Sequence, residues 1–151
     1  MSNPIGINTW NWVSPLTTEN LKVYAPKIKA LGFDVLEVPL EDVSYFDAPV
    51  VKQILEDNEL GTTVCGAFGP SRDLASDDPA AVKGAHEFLR ETIEFTAAIG
   101  GTVVGGPMYS TVGKARKITD EQRKVEFDRS AVELVGIGVF RAVFGHALAE
   151  R

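Results

Sequence analysis

The feature that most constrains this chain is a fourfold recurrence. An apolar, β-rich run, a turn and an amphipathic helical stretch follow one another four times without a low-complexity linker. Parallel strands cannot be joined by a tight turn, so strands that alternate with helices pair in parallel through right-handed crossovers. The pattern predicts an α/β fold with four βα units. A chain of 151 residues can bury a real core, and residues 1–151 are read as one domain.

Local chemistry sets the expected elements. The first strand covers 5–12 and stops at Ser14-Pro15, where proline removes a ladder donor. Thr17 or Thr18 then caps a helix whose buried face is Leu21, Tyr24, Ala25, Ile28 and Leu31, with Gly32 as its stop. Pro26 lies inside that helix, where it should remove a hydrogen bond and kink the axis. The second strand, 35–40, contains Pro39, which suits a strand's end. Asp47 caps the second helix before Ala48-Pro49, and Val51, Ile54 and Leu55 form its buried side.

The third strand is 62–68, followed by the irregular loop Gly69-Pro-Ser-Arg-Asp73. Asp78-Pro79 opens a third helix with a stripe of Val82, Ala85, Leu89, Ile93 and Ala97, ended by Gly100-Gly101. The fourth strand is 102–107. After a long loop, Thr119-Asp-Glu-Gln122 has the capping-box pattern that starts a fourth helix near Asp120. Beyond Val132 the rhythm is lost, Gly136 and Gly138 oppose a helix, and the tail 130–151 is left unassigned.

Composition excludes several function classes. The net charge is −6, and the one basic cluster, Lys114-Ala-Arg116-Lys117, is followed by Asp120 and Glu121, so it reads as a solvated loop. Nucleic acid is excluded as a partner on that ground. No apolar run approaches the roughly 20 residues of a membrane span. Cys65 is alone and no signal-peptide pattern stands at the start, so a cytoplasmic location is expected.

Four βα units can form an open doubly wound sheet or part of a closed barrel, and periodicity does not choose. The first βα turn, Trp10-Asn-Trp-Val-Ser-Pro15, lacks the glycines of a dinucleotide site. Trp10 and Trp12 on one strand face would make a sugar-stacking wall or ordinary core. Glu37 on a strand needs a partner, whether structural or in a polar site. Cys65 reads as a small buried hydrophobe, and Gly105-Gly106 as close packing or a ligand approach. His86, in a helix beside Glu87, reads as solvated or partly packed, and neither it nor His146 has acids at metal-ligand spacing.

The strings Gly6-Ile-Asn-Thr-Trp10, Ala30-Leu-Gly-Phe-Asp-Val-Leu-Glu-Val-Pro39, Val64-Cys-Gly-Ala-Phe-Gly-Pro70 and Gly105-Gly-Pro-Met-Tyr-Ser110 occur in this order in one family. On them the chain resembles D-tagatose/D-psicose 3-epimerase-like sugar isomerases, which are xylose isomerase-like TIM barrels. The resemblance runs from about residue 5 to 129 and fades at Arg129-Ser130, where a changed reading frame would account for the tail. It implies the N-terminal (βα)4 half of a barrel. In complete members it implies a divalent metal such as manganese, a ketose substrate, and two glutamates that move a proton at carbon 3.

The metal ligands of that family lie on strands of the second half, so no metal or cofactor is expected in this chain and no catalytic residue is transferred to it. The resemblance carries over only a substrate-side wall: Trp10, Trp12, Cys65, Gly106 and Met108. The alternative is a non-catalytic half-barrel. Its exposed strand edges would lead it to associate with itself, and a homo-oligomer is expected.

Overall fold

The structure, a computed structural model, describes residues 3–136. Within them four strands and four α-helices alternate: β1 (Gly6–Asn8), α1 (Thr18–Ala30), β2 (Val35–Leu40), α2 (Ala48–Asp57), β3 (Gly61–Gly66), α3 (Pro79–Ala98), β4 (Val104–Gly105) and α4 (Asp120–Gly136). The strands form one parallel sheet in the order β1-β2-β3-β4. This is the predicted α/β arrangement. His146 and most of the unassigned tail lie outside the described residues.

The chain divides into two compact units. The first extends to Ala67 and adds Leu89–Gly106, so it holds the whole sheet, α1, α2 and the C-terminal half of α3. Its core forms where Leu36, Val38, Leu40 and Val64 meet the apolar stripes of Leu21, Ala25 and Ile28 on α1 and Val51 and Leu55 on α2. Each of these side chains is almost fully removed from water. A Leu or Ile buried so completely contributes about 1.5–3 kcal/mol relative to its exposed state.

The helix starts follow their local chemistry. Thr17 caps α1 by accepting from Asn20 N at 3.2 Å, and Asp47 caps α2 by accepting from Val50 N at 3.2 Å. Pro26 does not end α1. It sits on the exposed side of the helix, where the carbonyl it leaves without an N–H donor can be hydrated. Gly32 adopts φ +88°, a left-handed conformation that favours glycine, and α1 stops before it.

Four sequence expectations need correction. The first strand is three residues long, because Asn8 turns the chain: its side chain accepts from Trp10 N at 2.8 Å and caps a 3-10 turn over Thr9–Asn11. Strands three and four are shorter than expected, ending at Gly66 and covering only Val104–Gly105. Leu31 is 66% exposed, since it stands at the C-cap, past the last turn that packs. On α3, Ile93 and Ala97 face water, while Ala81, Ala85, Phe88, Thr92, Phe95 and Ile99 are buried. A stripe stepped by four residues drifts about 40° per step around a 3.6-residue helix, so it leaves the packed face within two turns.

The second unit comprises Phe68–Phe88 and the described residues from Pro107 to Gly136. It is built from the loop after β3, the start of α3, the loop after β4, and α4. The two loops are joined through Val112 N donating to the Phe68 carbonyl at 3.0 Å, and Thr111 Oγ1 lies 3.3 Å from the Gly69 carbonyl and 3.2 Å from that of Arg72. The Arg72 guanidinium lies 3.9 Å from the centre of the Phe88 ring. Gly84 is required here, because a Cβ at that position would lie 2.6 Å from the Ser71 carbonyl oxygen.

α4 starts with the predicted capping box. Thr119 N donates to Gln122 Oε1 at 2.9 Å, and Gln122 N donates to Thr119 Oγ1 at 3.2 Å. Its packed face is small: Ser130 is buried, with its hydroxyl on the Tyr109 carbonyl at 2.9 Å, while Phe127 and Val132 are about 70% exposed.

Candidate functional site

In a parallel sheet every strand's C-terminal end lies at the same edge, and the loops that follow collect there. In the first unit this edge brings together the end of β1 with its 3-10 turn, the end of β2, and the facing ends of β3 and β4. Side-chain alternation divides the sheet into two faces. Leu36, Val38, Leu40 and Val64 occupy the face packed on the helices. The register then puts Asn8 opposite Glu37, Glu37 opposite Thr63, and Cys65 opposite Gly105 on the other face. Asn8, Glu37 and Thr63 on that face are only partly buried.

Glu37 has its partner. Asn8 Nδ2 donates to its Oε2 at 2.7 Å, across the β1–β2 pairing. Cys65 is buried next to this carboxylate. Burial first, and the Glu37 charge second, push the thiol up to about 11 from its usual 9.0. A thiol held protonated is not a nucleophile at neutral pH, which agrees with its reading as a small buried hydrophobe.

Trp10 and Trp12 do not form one wall, because the 3-10 turn sends them apart. Trp10 is half-buried and its indole N–H donates to Glu41 Oε1 at 2.9 Å. The same oxygen accepts from Ser14 Oγ at 2.5 Å, so Glu41 ties the turn to the end of β2. Trp12 is exposed and lies parallel to Tyr24 of α1, with ring centres 6.4 Å apart. Beside them Thr9 is fully buried, and its hydroxyl has no hydrogen-bond partner.

Cys65 and Gly106 do come together. Gly106 has φ +108°, and a Cβ there would collide with the Gly66 carbonyl oxygen and lie 2.9 Å from Cys65 Sγ. Its role is close packing of the chain after β4 onto the end of β3. Gly105 has open space where its Cβ would be. The fifth candidate, Met108, is buried within the second unit.

The second unit has a polar centre that the sequence reading missed. Asp73 is 5% exposed and accepts from Lys114 Nζ at 2.8 Å and from Ala75 N at 2.8 Å. Arg116 pairs with Glu126, and Arg129 donates to the Ala75 carbonyl at 2.7 Å. The basic cluster is exposed, as expected of a solvated loop, with Lys114 also paired to Asp73, 41 residues away, and Arg116 to Glu126. An open groove of about 890 Å³ runs along these residues and is also lined by Ser76, Thr111 and Gln122. His86 Nε2 lies 2.6 Å from Glu133 Oε2, joining α3 to α4. Among the described residues, no three His, Cys, Asp or Glu side chains gather as a metal site would require.

No family model matches the chain. Among curated proteins it is 30% identical over 110 residues to the ketose 3-epimerase of Arthrobacter globiformis, a stretch covering 73% of this chain and 38% of that protein. It is 32% identical over 94 residues to the D-psicose 3-epimerase of Enterocloster bolteae, covering 59% and 31% respectively. Among solved structures, a D-allulose 3-epimerase from Methylomonas sp. superposes with a TM-score of 0.75 at 24% identity, covering 90% of this chain and 49% of that one. An L-ribulose 3-epimerase superposes with a TM-score of 0.79 at 24% identity, covering 90% and 45%. The chain thus spans about half the length of the solved relatives it matches. The resemblance drawn from the motifs holds, and the four-stranded parallel sheet is that of half a TIM barrel.

Proposed function

We propose that this chain is the N-terminal half of a ketose 3-epimerase-like barrel, one domain that contributes the substrate-side wall of a sugar site and does not complete the chemistry alone. The observation that supports this most is the coincidence of the family strings with the strand ends of a four-stranded parallel sheet, the position where barrel enzymes place their sites. The ligand class is a ketose. Trp10, Cys65 and Gly106 are assigned to its wall, with the Trp10 indole against the carbon skeleton and the small Cys65–Gly106 contact giving it room.

A divalent metal in complete relatives would polarise the ketose oxygens. The described residues do not fit such an ion, because Glu37 is committed to Asn8 and Asp73 to Lys114. No step of this chain is therefore routed through a metal. Proton transfer at a carbon acid also needs a base within hydrogen-bond reach on each side of the carbon, and one wall of a barrel cannot supply both.

The test is binding and turnover together. The Trp10 indole N–H signal should move on titration with D-fructose or D-psicose, while manganese-dependent interconversion of the two stays at the level of the metal-free control. An indole signal that ignores both ketoses would refute the sugar wall. Turnover above the control would refute the claim that the chain is catalytically incomplete.

A further inference from the structure

Two carboxylates from one strand converge on one tryptophan. Glu37 lies within β2, and Glu41 follows its last residue. The indole N–H of Trp10 donates to Glu41 Oε1 at 2.9 Å, and the backbone N–H of the same residue donates to Asn8 Oδ1 at 2.8 Å. Asn8 in turn donates from Nδ2 to Glu37 Oε2 at 2.7 Å. Trp10 is therefore held at two points, its ring directly and its backbone through one amide.

That amide has a single orientation that serves both neighbours. A backbone N–H only donates and an ionised carboxylate only accepts, so Oδ1 must face Trp10 and Nδ2 must face Glu37. Without an acceptor at Glu37 the two ends of the amide lose their distinction, and a flipped amide sets N–H against N–H at Trp10. Thr9 offers no substitute, since its hydroxyl is fully buried and without a partner. Among the described residues, Asn8 supplies the one hydrogen bond to the Glu37 side chain. Glu37 stands opposite Asn8 in the β1–β2 register, so the sheet itself sets the distance between them.

We propose that Glu37 is a positioning residue: acting through Asn8, it fixes the turn that presents the Trp10 indole to a ketose. The inference rests on the sugar-wall reading above, and it gives Glu37 no contact with the sugar. A ring already held in place loses less conformational freedom on binding than one that must first be ordered. The bond that holds it is charge-assisted, and such bonds are stronger than neutral ones.

Exchanging donor and acceptor tests this. Asn8→Asp keeps an oxygen for Trp10 N but turns a second one toward Glu37, so that two carboxylates repel. It should weaken ketose binding by about 10-fold, and it should shift and broaden the Trp10 indole N–H signal even without sugar. Adding Glu37→Gln sets an amide donor against the new carboxylate, which remakes the pair with its polarity reversed and its net charge unchanged. The signal should then return, and affinity should recover to within about 3-fold of the unaltered chain. Glu37→Gln alone leaves an acceptor for Asn8 and should cost no more than about 3-fold. Two independent structural losses would add in the double variant, whereas a remade pair cancels them.

A Trp10 signal and an affinity that ignore Asn8→Asp overturn the proposal. So does a double variant no better than Asn8→Asp. A loss from Glu37→Gln alone as large as that from Asn8→Asp also overturns it, by making Glu37 a direct contact of the sugar. If Asn8→Asp does not fold, Glu37→Leu decides, because it removes the acceptor without adding a charge: the Trp10 signal should broaden while that of Trp12 stays, and an unmoved Trp10 signal overturns the proposal. A Trp10 signal that ignores ketoses yet follows Asn8→Asp and its rescue would keep the positioning and discard the sugar reading; a ketose response indifferent to these substitutions would do the reverse.

Discussion

Replacing Gly106 by alanine attacks the contact that seats the chain after β4 onto β3. Two costs add. An L-residue in a left-handed conformation loses about 1–2 kcal/mol, and Gly106 has φ +108°. The new Cβ would also collide with the Gly66 carbonyl oxygen and sit 2.9 Å from Cys65 Sγ and 3.0 Å from Gly66 N, two of these three neighbours being rigid backbone. Relieving that overlap means displacing β4, which is held to β3 by only two registered residue pairs, and overpacking of this kind typically costs about 1–3 kcal/mol more. The sum, about 2–5 kcal/mol, is a large part of the roughly 5–15 kcal/mol available to a domain.

Urea unfolding followed by far-UV dichroism measures it. With a slope of about 1–3 kcal/mol/M, the midpoint should fall by at least about 0.7 M. Gly105→Ala is the matched control: its Cβ would meet nothing within 4 Å and its φ is ordinary, so its midpoint should stay or rise slightly. Equal midpoints for the two variants would refute the packing argument and return Gly106 to the reading of a ligand approach.

Four further outcomes are expected. Thr9→Val replaces a fully buried hydroxyl without a partner by a methyl group of similar shape, and should raise stability by about 1 kcal/mol in the same unfolding assay. Cys65 should resist alkylation: with its thiol up to about 11 rather than 9.0, the thiolate fraction at pH 8 falls by about 100-fold, and the rate should climb only as pH approaches 11. Because the folded value lies above the unfolded one, the unfolded thiol loses its proton first. Stability should be unaffected below pH 9.0 and decline between there and about 11, which a pH series of unfolding midpoints for the chain and for Cys65→Ala would check. Thr119→Ala removes the capping hydroxyl from Gln122 N and should cost about 1 kcal/mol of α4 stability, read as loss of helical dichroism on mild heating.

What the amino-acid sequence determined by itself is what depends on neighbours along the chain. Thr17, Asp47 and Thr119 were legible as helix starts because a cap bonds an N–H about three residues away. Gly32 was legible as a stop because a single backbone conformation identifies it. The α/β class followed from the same local periods, repeated four times.

Only the tertiary structure decided which distant groups meet. Asn8 was read as part of a strand that carried Trp10 and Trp12 on one face, but its side chain caps the turn that separates them, and its amide finds Glu37 through a register 29 residues away. Lys114 lies in an exposed loop, as read, but its pairing with Asp73, 41 residues away, was not legible. Periodicity on α3 misplaced Ile93 and Ala97 because an apolar stripe alone does not say which side of a helix the sheet will occupy. The physical reason is common to all of these. Caps and turns satisfy backbone groups within a few residues, whereas side-chain pairs and close approaches depend on strand register and crossover geometry, which no short window of sequence contains.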